Sequence, residues 1–150
     1  MDATLAPLVG SWRLVSVEAI FAPTGGPTGA DISERVATFG ATPSGRVVVT
    51  PEGRIMFLIT RSDRAAPETD ADRAALLNAT IAYSGRVRAD GPGAFVTTVE
   101  LSLFPEEIGG DKRRLFMIDG DRLTITRPAQ PSRVTGGRIA QSTLVWTRET

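Results

Sequence analysis

The sequence predicts an all-β protein: a closed, antiparallel, up-and-down barrel of about eight strands with one short helix. Runs of β-branched and aromatic residues recur along the whole chain, and turn residues separate them. The first and last runs are long and alternating, which allows them to pair and to leave the sheet without free edges. The chain has 150 residues, a length that folds around a single core, and we expect residues 1–150 to form one domain.

Charge and cysteine content exclude several function classes. The chain carries 17 basic and 17 acidic residues, so no net field draws it to nucleic acid or to an anionic membrane. It has no cysteine, which excludes disulfides and thiol nucleophiles. The residues before Gly10 lack the basic and apolar segments of an export signal, and no apolar run approaches the ~18 to 20 residues that span a bilayer. We therefore expect a cytoplasmic protein that binds neither nucleic acid nor membrane.

The first half of the chain predicts three strands. Trp12 to Phe21 is rich in β-branched and aromatic residues, as strands are. Arg46 to Thr50 and Arg54 to Arg61 flank the turn Pro51-Glu52-Gly53, which is the pattern of a hairpin. Between the first strand and this hairpin, the Gly-rich stretch Thr24–Gly29 matches no phosphate-binding motif. We expect it to be a mobile loop that covers the open mouth of the barrel.

The second half predicts one short helix and five more strands. Asp70 to Leu77 places acidic residues ahead of alanines and leucines, which favours a helix of about two turns. Ala89–Gly93 and Asp119–Asp121 are turn segments between apolar runs, and an Asp-Gly pair is a strong hairpin signal. The predicted strands are Thr80 to Arg88, Ala94 to Phe104, Lys112 to Ile118, Arg122 to Arg127 and Arg138 to Arg148.

Motifs at both ends of the chain resemble a known family. Gly10-x-Trp12 and the closing Trp146-Thr147-Arg148 resemble the lipocalin fingerprint, and Leu8 to Glu18 resembles the opening of the lipocalin-like domain family of small microbial proteins. Further stretches that agree with this family are Pro43 to Gly45, Pro51 to Gly53, Ile81 to Arg86 and Val99 to Pro105. The resemblance implies a lipocalin-like, calycin-type barrel whose floor is closed by Trp12 beneath Arg148. A cation over an indole face gains roughly 0.5 to 2 kcal/mol.

The sequence also departs from this family in one place. Thr97 and Thr98 stand where many relatives have histidines, so a histidine-based mechanism is not carried over.

The two-residue period of the strands predicts which side chains face the inside of the barrel, and one strand allows two registers. If Trp12 faces inward, the two-residue period of a strand sends Ser16 and Glu18 inward as well. The strand from Ala94 has two competing registers, one burying Phe95, Thr97, Val99, Leu101 and Leu103 and the other burying Val96, Thr98, Glu100 and Ser102. The first register packs the better core and the second makes a wet cavity, so both stay open.

Glu18, Glu100 and Tyr83 are the candidate catalytic residues. A carboxyl in an apolar cavity has a raised pKa unless an arginine holds it ionised, and either form can act as an acid or a base. Tyr83 can donate a hydrogen bond to a developing enolate or alkoxide. An ordinary role, as a strand charge or a packed ring, competes with each of these assignments. Arginines suited to pair with such a carboxylate are Arg61, Arg86 and Arg114, and the candidate ligand-binding residues are Ser16, Phe57, Arg61, Thr98, Ser102 and Phe116.

No metal or cofactor is expected. The acidic residues Asp63, Glu68, Asp70 and Asp72 lack the spacing of a calcium loop, and we interpret them as a solvated loop and a helix N-terminus. The chain has neither histidine nor cysteine, so zinc, copper and haem would lack the ligands they prefer.

Three function classes fit such a container. The barrel would bind a small, mostly apolar metabolite and promote its cyclisation or isomerisation without a cofactor, since positioning the reacting ends lowers the barrier by several kcal/mol. The resemblance favours this class, because relatives of this barrel type are associated with microbial natural-product pathways. The alternative is a non-catalytic carrier or sequestering protein for a small hydrophobic ligand. A partner-binding module is the least supported, and a homodimer is left open.

Overall fold

Nine antiparallel strands and one α-helix make up the part of the chain that the structure describes. This structure is a computed structural model that describes residues 1–21 and 34–150, and the stretch Thr24–Gly29, predicted above as a lid, lies outside those ranges. The strands are β1 (Gly10–Phe21), β2 (Arg35–Val36), β3 (Ser44–Val49), β4 (Arg54–Thr60), β5 (Ile81–Ala89), β6 (Ala94–Ser102), β7 (Asp111–Asp119), β8 (Arg122–Pro131) and β9 (Ile139–Arg148). The helix is α1 (Asp70–Asn78), and 3₁₀ turns cover Ala6–Leu8, Pro105–Glu107 and Arg133–Thr135.

The sheet closes on itself. From β3 to β9 each strand pairs with the next along the chain, β1 pairs with β3, and β1 also pairs with β9. Eight strands therefore form a closed antiparallel barrel, and the short β2 pairs with the end of β1. Helix α1 joins the third and fourth barrel strands. The predicted all-β, lipocalin-like barrel with one short helix is confirmed, including the hairpins at Pro51-Glu52-Gly53 and Asp119–Asp121.

A β-bulge in β1 changes which of its residues face the interior. The pairing with β9 shifts between Leu14 and Ser16, so Val15 is an extra residue and is 46% exposed. Before the bulge Trp12 and Leu14 are buried; after it the buried residues are Val17, Ala19 and Phe21. The expectation that Ser16 and Glu18 follow Trp12 into the interior is wrong, because one extra residue moves every later side chain to the opposite face.

A second bulge, in β6, combines the two registers that the sequence left open. The pairing with β5 shifts between Ser84 and Gly85, which leaves Glu100 as the extra residue. Phe95, Thr97 and Val99 are buried before the bulge, as in the first register. After it Leu101 is 67% exposed and Ser102 is partly buried, as in the second. A Cβ at Gly85 would lie 2.0 Å from the carbonyl oxygen of Thr98, so this crossing requires glycine.

Two tryptophans close one end of the barrel. Trp12 and Trp146 are fully buried, and the indole Nε1 of Trp12 donates a hydrogen bond of 2.9 Å to the carbonyl of Leu8. The Arg148 guanidinium lies 4.0 Å from the centroid of the Trp12 ring and donates to the carbonyls of Val9 and Pro7. The N-terminal segment is thereby held across this end, which we call the floor.

Helix α1 lies on the outside of the barrel. Thr69 and Asp72 form a capping box at its N-terminus, and none of its residues is buried. At the other end the Asn78 carbonyl accepts a hydrogen bond of 3.0 Å from Arg133. No helix in residues 1–21 and 34–150 is long and apolar enough to cross a membrane.

Candidate functional site

A cavity of about 280 Å³ lies inside the barrel above the floor. Phe57 forms its base, because its ring packs 6.0 Å from the ring of Trp146. The 3₁₀ turns Pro105–Glu107 and Arg133–Thr135 border the cavity at the opposite end. This volume is near the lower end of the ~300 to 1,000 Å³ typical of small-molecule sites.

One wall of the cavity is apolar. The strands β1, β4, β5, β8 and β9 bring inward the alternate residues of their hydrophobic faces, as the pleat requires. The apolar side chains that line the cavity on these strands are Val17, Phe57, Ile59, Ile81, Ile125 and Leu144. This wall favours an apolar body in the ligand.

The other wall is polar and mainly cationic. Alternation along β7 turns Lys112 and Arg114 inward, β8 contributes Arg127, and β5 contributes Tyr83. Among the described residues, four cationic side chains and two carboxylates line the cavity: Lys112, Arg114, Arg127 and Arg133 against Glu106 and Glu107. The cavity therefore carries an excess of positive charge in a chain whose formal net charge is zero.

Arg114 and Arg127 lie side by side on this wall. Leu115 pairs with Thr126, so the two arginines occupy the next facing positions of β7 and β8. Arg114 is 8% exposed and donates a hydrogen bond of 2.8 Å to the carbonyl of Arg113. Neither guanidinium forms an ion pair with a carboxylate in the described part of the chain.

Neutral acceptors surround Arg127. Its Nη2 donates to the carbonyl of Pro131 at 2.8 Å and its Nη1 to that of Gln130 at 3.5 Å. With its amide turned so that the oxygen faces the guanidinium, the Gln130 side chain accepts two further hydrogen bonds of 2.7 Å. Burial and the neighbouring Arg114 charge lower the pKa of Arg127 to about 10, so the side chain is still a cation at neutral pH.

Lys112, in contrast, has a carboxylate partner. Its ammonium pairs with Glu107, and Ser102 donates a hydrogen bond of 2.8 Å to the same carboxylate. Burial lowers the pKa of Lys112, and the Glu107 charge offsets only part of that effect. Burial alone would raise the pKa of Glu107, but the hydrogen bonds from Lys112 and Ser102 outweigh it and hold that pKa below its ordinary value.

Tyr83 lies between these groups. Its ring is 5.0 Å from that of Phe57, and the Lys112 ammonium is 4.9 Å from the Tyr83 ring centroid. Burial raises the pKa of the Tyr83 phenol, although the nearby Arg114 charge acts against this. At neutral pH the phenol is therefore a neutral hydrogen-bond donor inside the cavity.

The structure places the three candidate catalytic residues in different environments. Tyr83 lines the cavity. Glu18 and Glu100 lie on the outer surface, where they pair with Arg35 and Arg54 respectively. The expectation of interior carboxylates at Glu18 and Glu100 is wrong. The bulge in β1 turns Glu18 to the outer face of the barrel, and the bulge in β6 leaves Glu100 as an extra residue without a partner in β5. Neither glutamate can reach a molecule in the lumen.

The candidate ligand-binding residues are also divided. Phe57 lines the cavity, whereas Phe116 packs 5.8 Å from Phe95 and is not part of the lining. Ser102 reaches the site through its hydrogen bond to Glu107. Three others lie away from the cavity lining: Ser16, Arg61 and Thr98.

Each of these three has a local explanation. Ser16 follows the bulge in β1 and shares the outward face of Glu18. Arg61 follows β4 and is held by Asp63, which accepts two hydrogen bonds of 2.9 Å. Thr98 faces outward on β6 and donates a hydrogen bond of 2.7 Å to Asp111.

The sequence reasoning missed most of the cationic wall. The sequence predicts Arg114 only as a partner for a carboxylate, and it does not identify Lys112, Arg127 or Glu107 as site residues. The sequence did contain a signal for two of these residues. One face of β7 consists of Arg114, Phe116 and Ile118, and one face of β8 consists of Leu123, Ile125 and Arg127, so each apolar face ends in an arginine. Those two faces meet across the Asp119–Asp121 hairpin.

A closed eight-stranded barrel with a lined internal cavity defines a class of small-molecule-binding protein. The sequence profile of the lipocalin-like domain family matches residues 9–149, and the chain therefore belongs to that family. No curated protein is similar enough to count as a match. A lipocalin-like barrel of this kind is compatible with binding a small hydrophobic ligand.

Proposed function

We propose that the protein is a carrier or sequestering protein that holds a small, mostly apolar metabolite in the barrel cavity. The observation that carries this proposal is the cavity inside the closed barrel, with an apolar wall above the floor of buried tryptophans. Burying apolar surface there supplies about 25 cal/mol per Å² of area removed from water. The two glutamates that would have served an acid or base mechanism face outward, which favours binding over catalysis.

A cavity-filling variant tests this proposal. Ser142 lines the cavity from β9, and its neighbour Thr143 is paired with the outward-facing Glu18. The probe is N-phenyl-1-naphthylamine, a neutral dye that fluoresces in apolar sites. We expect Ser142→Phe to weaken dye binding about tenfold or more, equivalent to about 1.4 kcal/mol, and the matched control Thr143→Phe to change it less than about twofold.

Two results would count against a binding cavity. One is that the wild-type protein does not bind the dye; the other is that Ser142→Phe and Thr143→Phe bind it equally well. Native mass spectrometry of the purified protein, before and after denaturation, adds an independent measurement. An apolar passenger released in fixed stoichiometry supports the proposal and identifies the ligand.

The second candidate function is cofactor-independent cyclisation or isomerisation of the bound metabolite. It is favoured by the neutral Tyr83 phenol next to the Arg114 charge, an arrangement that could stabilise a developing enolate. We assign this candidate to natural-product biosynthesis on the family resemblance alone. Tyr83→Phe separates the candidates: a carrier keeps its affinity within about threefold, whereas an enzyme loses about 10² or more in turnover of the identified passenger or its precursor.

A further inference from the structure

We propose that the ligand of this cavity is an amphipathic organic acid whose carboxylate binds at Arg114 and Arg127 while its apolar body lies against Phe57, Ile59 and Leu144. This inference rests on the proposed binding function and adds the chemical class of the ligand. It comes from Arg114 and Arg127, the buried and half-buried arginines of the lining that have no carboxylate partner among the described residues.

The first step concerns the energy of the cationic wall. Removing a guanidinium from water costs several kcal/mol unless an opposite charge compensates it. Like charges on facing strand positions add a further unfavourable contribution, and Arg114 and Arg127 occupy such positions. Lys112 on the same wall is compensated by Glu107. Arg133 also lacks an ion pair among the described residues, but its side chain is exposed and donates to the carbonyl of Asn78. The positive charge that is withdrawn from water without a carboxylate partner is therefore that of Arg114 and Arg127.

The second step concerns hydrogen bonding. The carbonyl of Arg113 accepts one bond from Arg114, and the acceptors around Arg127 are neutral oxygens. These contacts satisfy individual N–H groups but do not balance the charge. A guanidinium has five N–H donors in a planar fork that matches the two oxygens of a carboxylate. The bonds to Pro131 and Gln130 occupy most of the N–H groups of Arg127. Arg114, beside Tyr83, therefore presents the donors of the fork, and Arg127 adds its positive charge.

The third step concerns the shape of the occupant. The cavity of about 280 Å³ has its arginines on β7 and β8 and its apolar side chains mainly on β1, β4 and β9. A ligand that satisfies both walls has one anionic end and a hydrophobic remainder. A neutral hydrocarbon would leave the arginine charges uncompensated, and a multiply charged metabolite would lose the apolar contacts.

The test compares a matched acid and alcohol as competitors for the neutral dye. Octanoate and 1-octanol differ only in the head group, and at pH 7.5 the acid is ionised. We expect octanoate to displace the dye at a concentration about tenfold or more below that of 1-octanol, because charge-assisted hydrogen bonds contribute about 1.5 to 3 kcal/mol. In Arg114→Gln and Arg127→Gln this preference should fall below about threefold, while the dye itself still binds.

Arg113→Gln is the matched control, because Arg113 is adjacent to Arg114 but pairs with Asp90 on the outer surface; it should keep the full preference. A second measurement needs no variant: in the wild-type protein, lowering the pH below the acid's own pKa should abolish the advantage of octanoate. If the dye binds but acid and alcohol compete equally at pH 7.5, the inference is overturned while the binding cavity stands. If the dye does not bind at all, the proposed function itself has failed.

Discussion

Replacing Arg114 with methionine removes a buried charge and keeps a long, unbranched side chain in its place. Arg114 is 8% exposed, donates a hydrogen bond to the carbonyl of Arg113 and lies beside the Tyr83 phenol. Loss of that bond costs about 0.5 to 1.5 kcal/mol. Against this, the substitution removes a desolvation penalty of several kcal/mol and the repulsion from Arg127. We expect Arg114→Met to raise the free energy of unfolding of the ligand-free protein by about 1 to 3 kcal/mol.

Urea unfolding measures this change. The buried residues Trp12 and Trp146 report on the transition through their fluorescence, and bound ligand is first removed by unfolding and refolding. Arg113→Met is the control, because it breaks an exposed ion pair with Asp90 and should lower stability by at most about 1 kcal/mol. A saturating acid should narrow this difference: ligand at 100 times its Kd stabilises the wild-type protein by about 2.7 kcal/mol, and the variant gains less.

A loss of stability in Arg114→Met, with the fold intact by circular dichroism, would refute this reasoning. It would mean that a group within the chain already compensates the Arg114 charge. The same result would also remove the physical basis for an anionic ligand, so this experiment and the competition assay address one property by independent means.

Two further predictions concern Glu107 and Gly85. Glu107→Gln leaves Lys112 without its carboxylate and should cost about 1 to 2 kcal/mol at pH 7. The folded pKa of Glu107 lies below its ordinary value of 4.5, so the stability advantage of the wild type over the variant is fully present above about pH 4.5 and shrinks as the pH falls through the folded pKa. Urea titrations at several pH values measure this change. A stability difference that stays constant with pH would contradict the assigned cause. Gly85→Ala should cost about 1 to 3 kcal/mol or prevent folding, because its Cβ would meet the Thr98 carbonyl at 2.0 Å; a midpoint equal to wild type would show that the bulge can relax.

The barrel was predictable because each signal in it is local. Turn residues separate runs of period two, and the pairing of the hairpins follows from the short turns between them. The helix was predicted over Asp70–Leu77 and extends over Asp70–Asn78. Strand β8 continues past its predicted end at Arg127 through Pro128, because the pairing with β9 is irregular between Arg127 and Gln130 and does not require every backbone N–H.

The lining of the cavity was not predictable to the same degree, since one extra residue reverses a strand face. Nothing in the run around Val15 distinguishes a bulge from a regular strand. In β6 a cue did exist: Gly85, within an otherwise β-forming stretch, marks the close approach of its partner strand. Long cationic side chains in strands ordinarily face solvent, which is why Lys112, Arg114 and Arg127 did not stand out among 17 basic residues.

The two bulges together decide what chemistry the lumen can offer. Each removes a glutamate from the interior: Glu18 by reversing the face of β1, and Glu100 by becoming the extra residue of β6. Glu107, which pairs with Lys112 beside the cavity, is ionised at neutral pH. Because its pKa lies below the ordinary value, its carboxylate is a weak proton acceptor. Binding through positive charge is what the inward-facing side chains do best. Catalysis in this lumen would use the same arginines and Tyr83 to stabilise negative charge on a substrate, and a carboxylate ligand would compete with the reaction.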